Sequence, residues 1–115
     1  MKDDLSRFLP LSPASMHILL ALAAEDLHGY GIIKEVERHS EGQCKLGPGT
    51  LYDNLQRLLD RQLIVEVSRA GNDDPRRRYY RLSSTGKRVL AAEIGRLEGI
   101  FRKAKNHLLP RPRKA

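Results

Sequence analysis

Apolar residues recur at helical spacing in three segments of the first half of the chain. Ser12 and Pro13 begin the first segment, since serine caps free N–H groups and proline suits the first helical position. Its apolar residues cover most of the circumference, which predicts a deeply buried helix. A second helix is predicted over residues 29–41, with Gly42 as its stop, and a third over residues 48–61.

The third helix has one apolar side and one polar side. Its apolar stripe is formed by four leucines at helical spacing, which are Leu51, Leu55, Leu58 and Leu59. The opposite side is expected to present Thr50, Asp53, Asn54, Arg57 and Arg61. This helix therefore has a face that is available for a partner.

Two short segments with strand periodicity follow. Residues 63–67 predict one strand and residues 77–82 the returning strand of a β-hairpin, with Tyr80 and Leu82 on one side. Turn-forming residues lie between the two strands. A further short strand is predicted at residues 45–46.

A long fourth helix is predicted over residues 83–109, capped by Ser83 or Ser84. Its apolar positions follow alternating steps of four and three residues, as in a heptad repeat, and they are Leu90, Ile94, Leu97, Phe101, Ala104 and Leu108. The repeat spans about 27 Å at helical rise, which is long for a small three-helix body. It predicts a homodimer interface; the alternative is a helix that folds back on its own domain.

Three helices, a hairpin and a long helix are the element order of a mainly α protein with a winged helix-turn-helix. The predicted division is a loose N-terminal arm (1–11), a DNA-binding domain (12–82), a dimerisation helix (83–109) and a basic tail (110–115).

Charge sharpens this interpretation. The net charge is +7, and residues 102–115 carry six basic and no acidic residues, so the rest of the chain is nearly neutral. Arg76, Arg77 and Arg78 form a second basic cluster on the hairpin. Local basic patches on a nearly neutral body favour an anionic partner such as double-stranded DNA. The alternative is a solvated surface with a disordered tail.

Other kinds of chemistry find little support. The one cysteine, Cys44, excludes an intrachain disulfide, and the four histidines lack metal-ligand spacing. Cys44 is either a redox sensor or a packed or exposed thiol. No phosphate loop, nucleophile elbow or acid dyad is present, so we expect no cofactor and no enzyme activity. Without an apolar leader or a membrane-length run, the expected location is cytoplasmic.

Three stretches together resemble the PadR family of transcriptional regulators. They are residues 27–32 (LHGYGI), residues 48–58 (PGTLYDNLQRL), and residues 77–82 (RRYYRL) followed by Thr85 and Gly86. The resemblance covers about residues 12–90 and implies a winged-helix DNA-binding regulator. The single C-terminal helix is similar to the shorter subfamily of compact homodimers. Effectors in the family are implied to be small aromatic molecules near the dimer interface, where this chain has no tryptophan to stack on them.

The chain departs from the family pattern at three positions. Gly47 stands where a serine or threonine usually caps the third helix, so capping is weaker or backbone N–H groups are free for phosphate. Asp53 stands where proline is frequent, and a carboxylate there repels phosphate. Gln62 stands where glycine is frequent, so the turn after the third helix is strained or differently built.

The predicted DNA contacts come from three elements. Arg57 suits bidentate pairing with guanine and Asn54 with adenine, while Tyr30 either reaches a phosphate or fills the core. The full set is Tyr30, Lys34, Gly49, Thr50, Tyr52, Asn54, Arg57, Arg76, Arg77 and Arg78. An ion pair with Asp53 is the alternative for Arg57.

The leading hypothesis is a homodimeric repressor that binds a pseudo-palindromic operator and responds to a small molecule. A helical protein-interaction module on a winged-helix scaffold is the second hypothesis. An RNA-binding domain is disfavoured, because the four tyrosines are not expected to form one stacking platform.

Overall fold

Within the described residues, four helices and a hairpin form in the order that the hydrophobic pattern predicts, and one further strand completes a small antiparallel sheet. The computed structural model describes residues 4–68 and 77–108. A 3-10 turn at Ser6–Phe8 precedes α1 (Pro13–Ala24), β1 (Leu27–His28), α2 (Gly29–His39), α3 (Pro48–Asp60), β2 (Ile64–Val67), β3 (Tyr79–Leu82) and α4 (Ser84–Leu108). The predicted fold class, a winged helix-turn-helix followed by a long C-terminal helix, is confirmed.

The sheet has the order β1-β3-β2, with β3 in the centre. Tyr80 pairs with Leu27 on one side and Glu66 on the other. Tyr80 and Leu82 are buried, as their alternation predicts. The strand predicted at residues 45–46 is wrong, because the third strand is β1. A strand of two residues has no periodicity that a sequence pattern could reveal.

Three helix ends follow their expected local chemistry. The Ser12 hydroxyl accepts a hydrogen bond from the Ser15 N–H at 3.1 Å, and Gly42 after α2 has a φ of 79°. Gln62 after α3 has a φ of 61°, the left-handed conformation that favours glycine. The Leu63 N–H donates to the Leu58 carbonyl at 2.9 Å, which closes a Schellman turn. This turn directs the chain from α3 into β2.

Helix α1 occupies the centre of the core. Ile18 and Leu19 are fully buried, and Ala21 and Leu22 nearly so, which confirms the prediction of a deeply buried helix. The helix packs against α2, α3, α4 and β3. It therefore fixes how the third helix lies relative to the sheet.

The N-terminal arm is not loose over the residues that the structure describes. Phe8 is only 7% exposed and belongs to the core. The Leu11 N–H donates to a carboxylate oxygen of Glu93 in α4 at 2.8 Å. Glu93 is 1% exposed, and hydrogen bonds from Arg96 and from the Leu11 N–H lower the pKa of its carboxyl group. The prediction of a loose arm was wrong because the apolar residues of this short segment follow no regular repeat, although Phe8 is buried and Leu5, Leu9 and Leu11 pack against the core.

Helix α4 divides into a packed part and an exposed part. Its first turns return to the core, where Val89, Leu90 and Glu93 are buried. The assignment of Leu90 to the dimer interface is therefore corrected, since this side chain packs inside its own protomer. A heptad pattern cannot distinguish contacts within a chain from contacts between chains. Beyond residue 93 the larger apolar side chains are exposed, except Leu97, which is half-buried.

The start of α4 lies against the end of α3 and the start of β2. The Ser83 hydroxyl caps the helix by accepting from the Gly86 N–H at 2.9 Å, and it donates to the Gln62 carbonyl at 2.8 Å. A Cβ atom on Gly86 would lie 2.0 Å from the Leu63 carbonyl oxygen. Only glycine allows the two backbones to approach this closely.

We predict that Gly86→Ala lowers the free energy of unfolding by about 1–3 kcal/mol, because the backbone of one element must shift. The matched control is Gly95→Ala in the same helix, where an added Cβ atom meets nothing within 4 Å. That control is expected to raise stability by up to about 1 kcal/mol through helix propensity. Urea denaturation of both variants measures the difference, and equal effects would contradict the close approach.

Candidate nucleic-acid interface

Helix α3 exposes one side, as its pattern predicts. Leu51, Leu55 and Leu58 are buried in the core, whereas Thr50, Tyr52, Asp53, Gln56 and Arg57 are exposed. Gly47 at its N-cap makes no side-chain cap hydrogen bond. The exposed backbone N–H groups of Gly49 and Thr50 are therefore available to an anion at this helix end.

Asn54 does not lie on the exposed side of α3, and this part of the predicted polar face is wrong. It is only 8% exposed, and its amide nitrogen donates to the Thr50 carbonyl at 2.8 Å. Its amide oxygen accepts from the Ser15 hydroxyl of α1 at 3.3 Å. Three residues after Leu51, it stands at the margin of the apolar stripe, where the sequence does not show which way it turns. Asn54 therefore joins α3 to α1 through its buried amide.

Arg57 keeps its guanidinium group on the exposed side. Among the described residues, no ion pair joins it to Asp53. The alternative interpretation of Arg57 as an ion-pair partner is therefore not supported. Its five N–H donors are available for an external acceptor.

Helix α2 presents Tyr30 and Lys34 on one exposed side. Tyr30 is 65% exposed, so it does not fill the core, and the Lys34 ammonium lies 5.3 Å from the centre of its ring. At the helix entry, the His28 ring accepts a hydrogen bond from the Gly31 N–H at 2.8 Å, a cap that the sequence analysis missed. Histidine is not among the common capping residues, so no usual signal marked it.

Gly29 serves packing between α2 and α3. A Cβ atom at this position would lie 2.5 Å from the Tyr52 hydroxyl oxygen. Tyr52 therefore rests against the start of α2 and brings the two helices together. The close contact with Tyr52 thus explains why a residue without a side chain stands here.

A cavity of about 510 Å³, here called the wing cavity, separates α3 from the hairpin. Three tyrosines and two wing arginines are among its lining residues, namely Tyr30, Tyr52, Tyr80, Arg77 and Arg78. Tyr80 is only 4% exposed and no ring contact joins these three tyrosines within the described residues, so they form no stacking platform for bases, although they share this cavity. β1 is responsible, because it pairs with β3 and so places the start of α2 beside Tyr80.

The wing cavity is mixed in charge. Arg78 forms an ion pair with Glu66 at 3.5 Å across the hairpin. Burial, followed by the negative charge of Glu66, raises the pKa of the Tyr80 hydroxyl, so this group stays protonated. Both wing arginines are exposed. Arg76 and the basic tail lie outside the described residues.

The described residues show no cluster of three or more potential metal ligands. The rings of His17 and His39 join α1 to α2, with nitrogen atoms 3.0 Å apart. Burial, followed by the proximity of His17, lowers the pKa of His39. Cys44 is half-buried against the core, which favours a packed thiol over a redox sensor. Over the same residues, no helix has the length and apolar character that a membrane span requires.

Comparison with known proteins defines the class. Residues 18–92 match the model of the transcriptional regulator PadR-like family, so this chain belongs to that family of transcriptional regulators. It is 34% identical over 87 residues to the transcriptional regulator Rv3488 of Mycobacterium tuberculosis, a match that covers 76% of this chain and 78% of the relative.

Two further proteins are similar to this chain. An uncharacterized 37.1 kDa protein of a Streptomyces fradiae transposon is 38% identical over 95 residues, which cover 79% of this chain but 26% of that longer protein. The crystal structure of a PadR family transcription regulator from Clostridium difficile R20291 superposes with a TM-score of 0.70 at 28% identity. That match covers 86% of this chain and all of the other.

We predict that Asn54→Ala lowers the free energy of unfolding by about 1–2 kcal/mol, because it removes the hydrogen bonds to Thr50 and Ser15. Asp53→Ala, an exposed neighbour on the same helix, is the control and is expected to change stability by less than about 0.5 kcal/mol. Chemical denaturation measures both. Unchanged stability together with altered base preference would instead identify Asn54 as a base-reading residue.

Proposed function

We propose that this protein is a homodimeric repressor that binds a pseudo-palindromic DNA operator through α3 and is released by a small molecule. The family supplies the class, a transcriptional regulator. The observation that carries the proposal is the exposed polar face of α3, where Arg57 has no ion pair within the described residues. Positively charged side chains are also exposed on α2 (Lys34) and on the hairpin (Arg77 and Arg78).

Each element has a defined task in this proposal. Helix α3 enters the major groove, where Arg57 pairs with a guanine edge and Thr50 and Tyr52 contact neighbouring bases. Tyr30 and Lys34 on α2 contact the sugar-phosphate backbone. Arg76, Arg77 and Arg78 contact it from the wing, or enter the adjacent minor groove.

The exposed part of α4 supports a dimer. Ile94, Ile100, Phe101 and Leu108 are exposed, while Leu97 and Ala104 are half-buried on the same helix. Large apolar side chains in such a row favour contact with a second helix. Two copies joined through this row would present two α3 helices about 34 Å apart, one turn of B-DNA. Leu90 has no part in this interface.

Support for a small-molecule effector comes from the wing cavity, which differs from the position near the dimer interface that the family resemblance implies. Its volume of about 510 Å³ falls within the range of about 300–1,000 Å³ that is usual for ligand pockets. A molecule bound there would occupy the space beside the proposed DNA contacts, and release would then follow from competition.

The second hypothesis, a protein-interaction module, predicts a different response to salt. Neutralised phosphates release counterions, so the affinity for duplex DNA falls steeply as salt rises. A module that docks proteins through apolar contacts is not expected to show a salt-dependent affinity for duplex DNA. A steep negative slope with duplex DNA therefore separates the two hypotheses.

We predict that Arg57→Ala weakens operator binding far more than binding to random duplex, measured at one salt concentration. A base contact contributes about 1–3 kcal/mol per half-site, and two half-sites double the loss. Arg38→Ala is the control, since it removes one positive charge from an exposed residue that is paired with Glu35 on α2. Equal losses for operator and random duplex would show that Arg57 contacts the backbone only.

We also predict that Phe101→Glu converts the dimer to a monomer, because the change places a charge in an apolar contact. Phe101 is 67% exposed within the protomer, so the fold itself should be unaffected. Ala91→Glu adds the same charge at an exposed position outside the row and should leave the dimer intact. Analytical ultracentrifugation distinguishes the species, and an intact Phe101→Glu dimer would reject this interface.

A further inference from the structure

A second cavity lies on the side of α3 away from the wing. It is here called the arm cavity and measures about 250 Å³. The N-terminal arm, the start of α1 and the second half of α3 form its walls, which include Phe8, Ser12, Ser15, Arg57 and Arg61. It exists because Phe8 is buried in the core, so that the arm stays beside α3.

Phe8 contacts two positive charges, Arg61 in the cavity wall and Arg7 on the neighbouring part of the arm. The guanidinium carbon of Arg7 lies 4.7 Å from the centre of the Phe8 ring, and that of Arg61 lies 5.9 Å from it. Such cation–π contacts hold each side chain without neutralising its charge. Both arginines are exposed, and neither forms an ion pair within residues 4–68 and 77–108.

The position of these charges matters for a helix that lies in a DNA groove. The major groove is about 12 Å wide, and a helix with its side chains is about 10–12 Å across. A helix that fills the groove therefore has one phosphate backbone on each side. Tyr30, Arg77 and Arg78 line the wing cavity and can therefore contact the backbone on that side only. The arm cavity lies on the other side of the same helix.

We propose that the arm cavity binds a phosphate group of the DNA strand that faces away from the wing, with Arg7 and Arg61 as the charged contacts. The Ser12 hydroxyl, exposed at the cavity wall, accepts from the Ser15 N–H and has its own O–H to donate beside them. This inference rests on the proposed function, since it needs α3 to lie in the major groove. It gives the N-terminal arm a role in DNA binding.

The test is the salt dependence of DNA binding by the full chain and by Arg61→Ala. Each lost phosphate contact is expected to reduce the magnitude of the slope of log K against log[salt] by about 0.9, or by about 1.8 for two copies in a dimer. Affinity for operator and random duplex should fall by the same factor, because a phosphate contact carries no sequence information. Arg61→Lys should restore the slope. Arg7→Ala should repeat the effect of Arg61→Ala without altering α3.

A control variant separates a lost phosphate contact from the general effect of removing a positive charge. Lys103→Ala, at an exposed position on α4 outside the proposed DNA contacts, removes the same charge and should leave the slope unchanged. If Arg61→Ala and Arg7→Ala match that control while the unaltered protein shows a steep slope, the arm cavity does not meet DNA and the inference is overturned. A shallow slope for the unaltered protein rejects the proposed function itself. If inorganic phosphate raises the melting temperature of the unaltered protein but not of Arg61→Ala, and the DNA slopes are equal, the cavity binds a free anion and the inference is overturned.

Discussion

The close backbone contact between Gly86 and Leu63 is the constraint on which the arrangement of this protein depends. An added Cβ atom at Gly86 would lie 2.0 Å from the Leu63 carbonyl oxygen. At the same place, the Ser83 hydroxyl bridges the Gln62 carbonyl and the Gly86 N–H. The end of α3, the start of β2 and the start of α4 are thus joined within a few residues. The helix proposed to read DNA and the helix proposed to dimerise are held in one geometry by backbone atoms.

The two sides of α3 are built by different physical means. On the wing side, β1 pairs with β3 and brings α2 beside the hairpin. On the arm side, Phe8 is buried and positions two arginines through its ring. Between them, the buried amide of Asn54 holds α3 against α1. The exposed face of α3 is thus held in place by a side chain that takes up almost none of that face. The exposed face of α3 that is proposed to contact DNA is therefore positioned by residues that are themselves buried.

The sequence predicted what long periodic segments determine and missed what single contacts determine. The four helices, the hairpin and the cap at Ser12 follow from apolar spacing and turn chemistry. Asn54 was misplaced because a helical repeat fixes its angle only to the margin of the apolar face. Leu90 was misassigned because the same leucine spacing serves packing within and between chains. The arm and β1 are held by one phenylalanine and one pair of residues, which leave no periodic trace.

The length of the exposed part of α4 has a mechanical consequence. From residue 94 to residue 108 the helix extends about 21 Å beyond the core. In the proposed dimer, any change in the direction of α4 at the Gly86 contact is amplified along the length of the helix. A rotation of about 6° at this contact displaces the far end of the helix, about 33 Å away at residue 108, by about 3.5 Å, close to the rise of one base pair at about 3.4 Å. Small angular errors at one glycine would therefore put the two half-sites out of register by a full base pair.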